Sequence, residues 1–113
     1  MTPADVPNPW LRGALDLCLL TLLYDGEAYG YELAARLAGA GVGEVQGGSL
    51  YPALLRLERA GLLEARWRPG DGGPGRKYYG LTASGRAELT ALATSWRRFT
   101  GAVAGLLDEV VPA

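Results

Sequence analysis

The apolar pattern of this chain changes period at a single residue. Leu50, Leu54, Leu57 and Gly61 follow the three-four spacing of a helix that buries one side. Leu63, Ala65 and Trp67 then alternate with Glu64, Arg66 and Arg68. A helix therefore hands over directly to a strand, and any fold must accommodate that junction. Ser49 is the candidate N-cap, because its hydroxyl can accept from an orphan backbone N–H. Pro52 is read into the first turn, where its missing N–H costs little. Gly61 can take the left-handed conformation that ends a helix. Tyr51, Leu55, Arg56 and Arg59 lie off the buried line.

A length of 113 residues points to one domain with a modest core. With 49% hydrophobic and 20% charged residues the composition is globular, not disordered. Residues 1–9 hold three prolines and no apolar run, as a flexible N-terminal arm would. No basic segment precedes an apolar core as in a signal peptide, and no apolar run approaches the ~18 residues of a membrane span. The expectation is a soluble, cytoplasmic protein. Cys18 is the single cysteine and histidine is absent, so neither a disulfide nor a site with metal-ligand spacing is available. The same absence removes histidine-based catalysis, and no carboxylate cluster flanks a nucleophile. No catalytic residue, metal or cofactor is expected. Cys18 reads as a small core hydrophobe among Leu15, Leu17, Leu19 and Leu22.

Net charge is only −1, but its distribution is uneven. Residues 1–55 sum to −4, with Asp5, Asp16, Asp25, Glu27, Glu32 and Glu44 against Arg12 and Arg36. Residues 56–77 sum to +3, with Arg56, Arg59, Arg66, Arg68, Arg76 and Lys77 against Glu58, Glu64 and Asp71. A local basic patch matters more for nucleic acid than the global sum.

Trp10 to Leu23 reads as the first helix, with Leu11, Ala14, Leu15, Cys18, Leu19 and Leu22 on one face. Leu17 and Leu20 lie on the other side, so a second cover is needed, from another helix or another subunit. Tyr29 to Ala38 is a short second helix that Gly39, Gly41 and Gly43 end. Two short helices, the second bearing arginines, fit a helix-turn-helix unit. Leu62 to Arg68 and Arg76 to Leu81 read as two strands around a glycine-rich turn. A helix-turn-helix followed by a basic hairpin is a winged helix: the helix fits the major groove and the hairpin reaches phosphate or the minor groove. Thr82 then caps a long helix. Leu89, Leu92, Trp96, Phe99, Val103, Leu106 and Val110 form a heptad seam. It packs on a second subunit or on the monomer's own core. The fold class expected is mainly α with a small β-hairpin.

The runs Tyr29-Gly30-Tyr31-Glu32-Leu33, Ser49-Leu50-Tyr51-Pro52-Ala53-Leu54, Arg56-Leu57-Glu58, Ala60-Gly61-Leu62 and Arg76-Lys77-Tyr78-Tyr79-Gly80-Leu81-Thr82-Ala83-Ser84-Gly85 together resemble the PadR family of bacterial transcriptional regulators. The similarity covers roughly residues 11–92, in the family's order and spacing. It implies a winged helix-turn-helix DNA-binding domain over 10–82 and a C-terminal dimerisation helix over 83–111. It further implies a homodimeric repressor on a pseudo-palindromic operator, released in many members by a small molecule. The chain is similar to the short subgroup with one C-terminal helix. Gly47-Gly48 before the recognition helix and four glycines in the wing loop depart from the usual pattern.

The resemblance places Gln46, Ser49, Tyr51, Pro52 and Arg56 on or near the DNA-facing side of recognition helix 48–60. Arg66, Arg68, Arg76 and Lys77 in wing 62–81 are phosphate-positioning candidates. Tyr51 reads alternatively as a packed aromatic with a wet hydroxyl, and the four wing cations as a solvated surface. Leu17, Leu20, Leu89, Leu92, Trp96, Phe99, Val103, Leu106 and Val110 are the expected dimer interface. Trp96 and Phe99 are either dimer core or the walls of a site for a small aromatic or apolar effector. A winged helix that contacts another protein instead of DNA is the alternative; acids on the recognition helix would have favoured it.

Overall fold

The leucines of three helices converge on one core. The computed structural model describes residues 9–70 and 72–111. Helix α1 (Pro9–Leu22) lies at the centre and touches α2 (Gly30–Gly39), α3 (Gly47–Arg59) and α4 (Ala83–Val110). Leu19, Leu20, Leu33, Leu37, Leu50 and Leu54 are almost fully buried among them. Each such side chain stabilises the fold by about 1.5–3 kcal/mol on burial. Among the described residues, no helix is long and apolar enough to cross a membrane.

The two internal helices stop in the same way. After α2, Gly41 has φ 82°, its N–H donates to Ala38 O, and Val42 N–H donates to Leu37 O. After α3, Gly61 has φ 78°, its N–H donates to Glu58 O, and Leu62 N–H donates to Leu57 O. Both are Schellman motifs, in which a left-handed glycine lets the chain satisfy the last helical carbonyls. The second lies at the change of period seen in the sequence.

Strands β1 (Ala28–Tyr29), β2 (Leu63–Arg68) and β3 (Arg76–Leu81) form an antiparallel sheet in the order β1-β3-β2. Leu63 opposes Leu81 and Arg68 opposes Arg76, while Ala28 and Tyr29 oppose Tyr79 and Tyr78. This register turns Ala28, Leu63, Ala65 and Tyr79 toward the core. Tyr29, Tyr78, Arg66, Arg68 and Arg76 share the opposite face. The sequence pattern showed only the hairpin. Strand β1 is two residues long, too short to display an alternation.

Several expectations need correction. Helix α3 begins at Gly47 after Gln46, whose carbonyl accepts from the N–H groups of both Ser49 and Leu50. Ser49 is therefore inside the first turn and is not the N-cap. Pro52 consequently falls in the second turn, where it withholds the N–H that would reach Gly48. Both residues are exposed, so water can serve that carbonyl. Leu20, expected at a dimer interface, has no exposed surface: α2, α3 and α4 of its own chain wrap α1. Leu89 and Leu92 pack partly on the same core. Apart from Pro9, which opens α1, the expected N-terminal arm lies outside the described residues.

Thr82 ties the base of the sheet to the end of α3. Its N–H donates to Leu62 O at 3.1 Å and its hydroxyl donates to Gly61 O at 2.6 Å. The same hydroxyl accepts from Gly85 N–H at 3.0 Å, capping α4 as the sequence suggested. Gly85 is buried so close to this junction that a Cβ would come within 2.1 Å of Leu62 O. Gly85→Ala must push backbone against backbone and should cost about 1–3 kcal/mol or more. Thr82→Ala should cost about 1–2 kcal/mol through the lost cap and donor. Chemical denaturation of both variants checks these values.

Candidate nucleic-acid interface

Helix α3 has two unlike sides. Leu50, Ala53, Leu54 and Leu57 are buried against the core. Gln46, Ser49, Tyr51, Pro52, Leu55, Arg56 and Arg59 are exposed. No described acid stands on the exposed side of its first two turns, and its last turn carries Arg56 and Arg59. The hairpin runs beside it. A shallow groove between them is lined by Tyr29, Gly30, Tyr51, Trp67, Arg76 and Lys77.

Tyr51 stands half exposed because Gly30 makes room for it. A Cβ on Gly30 would lie 2.6 Å from Tyr51 Cε1 and 2.7 Å from its hydroxyl oxygen. The two readings of Tyr51 are thus joined in one residue: the ring edge rests on the start of α2 while half of the side chain stays open. Glu32 supports the same turn, its carboxylate accepting from Tyr29 N–H at 3.1 Å. In the sequence Gly30 figured only as part of the run from Tyr29 to Leu33. Its spacing of 21 residues from Tyr51 left no local signal of the contact.

The cations are not a free row. Arg56 pairs with Asp16 of α1 at 2.5 Å, both groups partly exposed. Arg66 meets Glu27 at 3.4 Å, and Arg68 bonds the other oxygen of the same carboxylate. Lys77 meets Glu58 at 3.2 Å; this hydrogen bond raises the ammonium pKa above its ordinary value. Burial pushes the Tyr79 phenol up, with the Lys77 ammonium 5.4 Å from its ring opposing that shift. Arg76 lies over the Tyr29 ring at 4.7 Å and has no ion pair among the described residues. Tyr29 in turn meets Tyr78 edge-on at 5.4 Å. The sequence reading named these cations but missed their acidic partners: Asp16 for Arg56, Glu27 for Arg66 and Arg68, and Glu58 for Lys77.

The seam on α4 divides. Trp96 and Val103 are a little over one-third exposed, whereas Phe99, Leu106 and Val110 are 63%, 68% and 79% exposed. Trp96 and Phe99 reach a second, apolar groove between α1 and α4, with Trp10, Leu17 and Leu92.

Residues 19–91 match the model of the PadR-like family of transcriptional regulators. The chain is 42% identical over 79 residues to the transcriptional regulator Rv3488 of Mycobacterium tuberculosis, covering 70% of this chain and 72% of that one. It is similar to a PadR-like transcriptional regulator from Bacillus cereus, with TM-score 0.78, 37% identity, and coverage of 88% and 97%. It is also similar to Bacillus subtilis PadR, solved in complex with operator DNA, with TM-score 0.65 and 27% identity. That match covers 70% of this chain and 46% of the Bacillus subtilis protein.

The Gly30–Tyr51 contact generates a test independent of any ligand. Tyr51 meets Gly30 with the far end of its side chain, so Gly30→Ala should swing the ring out instead of unfolding the protein. Stability should change by no more than about 1 kcal/mol, since alanine also favours the helix. Thermal melts together with the Tyr51 ring resonances by NMR read both outcomes.

Proposed function

The chain belongs to the PadR-like family of transcriptional regulators, and on that footing we propose that it is a dimeric winged-helix DNA-binding repressor. The observation that carries this reading is α3, anchored by four buried residues and open on its polar side, with a basic hairpin alongside. A helix so presented fits the major groove, where Gln46, Ser49, Tyr51 and Arg56 meet base edges or phosphate. Arg66, Arg68, Arg76 and Lys77 on the wing position the phosphate backbone. The operator complex of Bacillus subtilis PadR supports this use of the fold.

Dimerisation proceeds through α4. Phe99, Val103, Leu106 and Val110 form an apolar stripe that a lone chain leaves in water. A second copy covers it and sets two recognition helices on a pseudo-palindromic site. The groove holding Leu17, Trp96 and Phe99 suits a small aromatic or apolar effector, whose binding releases the DNA. The work is binding, and no residue is given a catalytic role.

Fluorescence anisotropy with a duplex from the gene's own upstream region, against a scrambled duplex, tests the reading. The upstream fragment should bind more tightly. If each subunit neutralises two or three phosphates, affinity should fall by roughly 10²–10³-fold from 50 to 200 mM salt. Binding insensitive to salt would move the protein-partner reading ahead. Val103→Asp with Leu106→Asp should yield monomers by sedimentation while the winged-helix core still melts cooperatively. A dimer that survives both substitutions would rule out the α4 stripe.

A further inference from the structure

Glu27 precedes β1, and three-quarters of its side chain is covered. One carboxylate oxygen takes Arg66 Nε at 3.4 Å and the other takes the Arg68 guanidinium. The side chain rests on Gly80, where a Cβ would come within 3.3 Å of Glu27 Cγ. Arg68 also lies over the Tyr78 ring at 5.0 Å. A glycine seat and two guanidinium groups thus converge on one anionic group, and an aromatic ring backs one of the guanidinium groups. Guanidinium groups bind phosphate oxygens with the same donor geometry.

We infer that Glu27 is an internal stand-in for a DNA phosphate: it occupies Arg66 and Arg68 in the free protein and so restrains sequence-independent DNA binding. The assignment rests on the DNA-binding reading above. Sequence-independent affinity comes from cations that neutralise phosphates and release counterions. Glu27 cancels one of the two positive charges of Arg66 and Arg68, so the pair has less to release. To reach a phosphate either arginine must leave the carboxylate, which then faces that phosphate as a like charge. Asp16 and Glu58 each hold one cation, Arg56 and Lys77. Glu27 holds two, although Glu64 also stands 4.0 Å from Arg66. A net charge of −1 fits a protein that keeps its grip on bulk DNA low.

The test uses the full chain and the scrambled duplex in a salt titration by anisotropy. Glu27→Gln removes the charge. Asp108→Asn removes an equal charge on α4, on the side away from the apolar stripe. Arg66→Gln with Arg68→Gln is made in both the wild-type and the Glu27→Gln background. Glu27→Gln frees one net positive charge per subunit, so it should steepen the slope of log affinity against log salt by up to about 2 for the dimer, and tighten binding at 50 mM salt by roughly tenfold. Asp108→Asn should do neither. The double arginine substitution should cancel the gain in the Glu27→Gln background, and should flatten the wild-type slope by less than it flattens the Glu27→Gln slope.

A Glu27→Gln slope equal to that of the wild type or of Asp108→Asn overturns the proposal. So does a gain that survives loss of both arginines. Should Glu27→Gln fail to fold, Glu27→Ala is read in the same way, and a slope equal to that of the wild type overturns the proposal. If neither the wild type nor Glu27→Gln binds either duplex, the DNA-binding reading itself falls and the proposal with it.

Discussion

The backbone at Gly61–Leu62 is the point on which the rest of the molecule depends. Four elements meet there within two residues: α3 ends, β2 begins, β3 returns, and α4 departs. The left-handed turn at Gly61 aims its own carbonyl and that of Leu62 at Thr82, and Thr82 answers with both its N–H and its hydroxyl. Gly85 then allows the first turn of α4 to pass against Leu62 without a side chain between. The exposed side of α3, the hairpin and the long α4 are thus set relative to one another by backbone groups, which tolerate far less drift than packed side chains. Two remote arginines extend the same logic to α1: Arg36 donates to Leu22 O at 3.1 Å, and Arg86 donates to Tyr24 O at 3.4 Å, serving carbonyls at the helix end.

Much of this was legible beforehand because the signals were local. The period change at Gly61 and the cap at Thr82 each occupy a few neighbouring residues, and each corresponds to an observed feature. The start of α3 was misplaced because Gly47 and Gly48 carry the weakest helical preference after proline. Strand β1 escaped because it exists only through pairing with β3, some 50 residues away. Leu20 looked spare because a helical wheel shows which sides of α1 need covering and not which neighbour covers them.

Charge was the least legible property. Along the chain, acids dominate the first half and cations follow from Arg56. Folding undoes that separation, bringing Asp16 to Arg56 and Glu27 to Arg66 and Arg68. Pairs 39 to 41 residues apart leave no trace in a running sum. Such exposed pairs contribute little to stability, on the order of 0–1 kcal/mol each. Their weight lies in the field the surface presents to an approaching anion, where a cation with a carboxylate attached acts as a dipole.

The contact between Gly30 and Tyr51 makes the exposed side of α3 uneven as raw material for divergence. The side chains of Ser49, Leu55 and Arg59 have no hydrogen bond, ion pair or glycine seat among the described residues, so a duplicated gene can vary them one at a time. Tyr51 is shackled to a residue in another helix. A side chain at 30 displaces the Tyr51 ring, so a change at the start of α2 is felt on the exposed side of α3. Helix α3 thus carries an adaptable alphabet beside an inherited fixed letter, and descendants of this chain would diversify around Tyr51 before they replaced it.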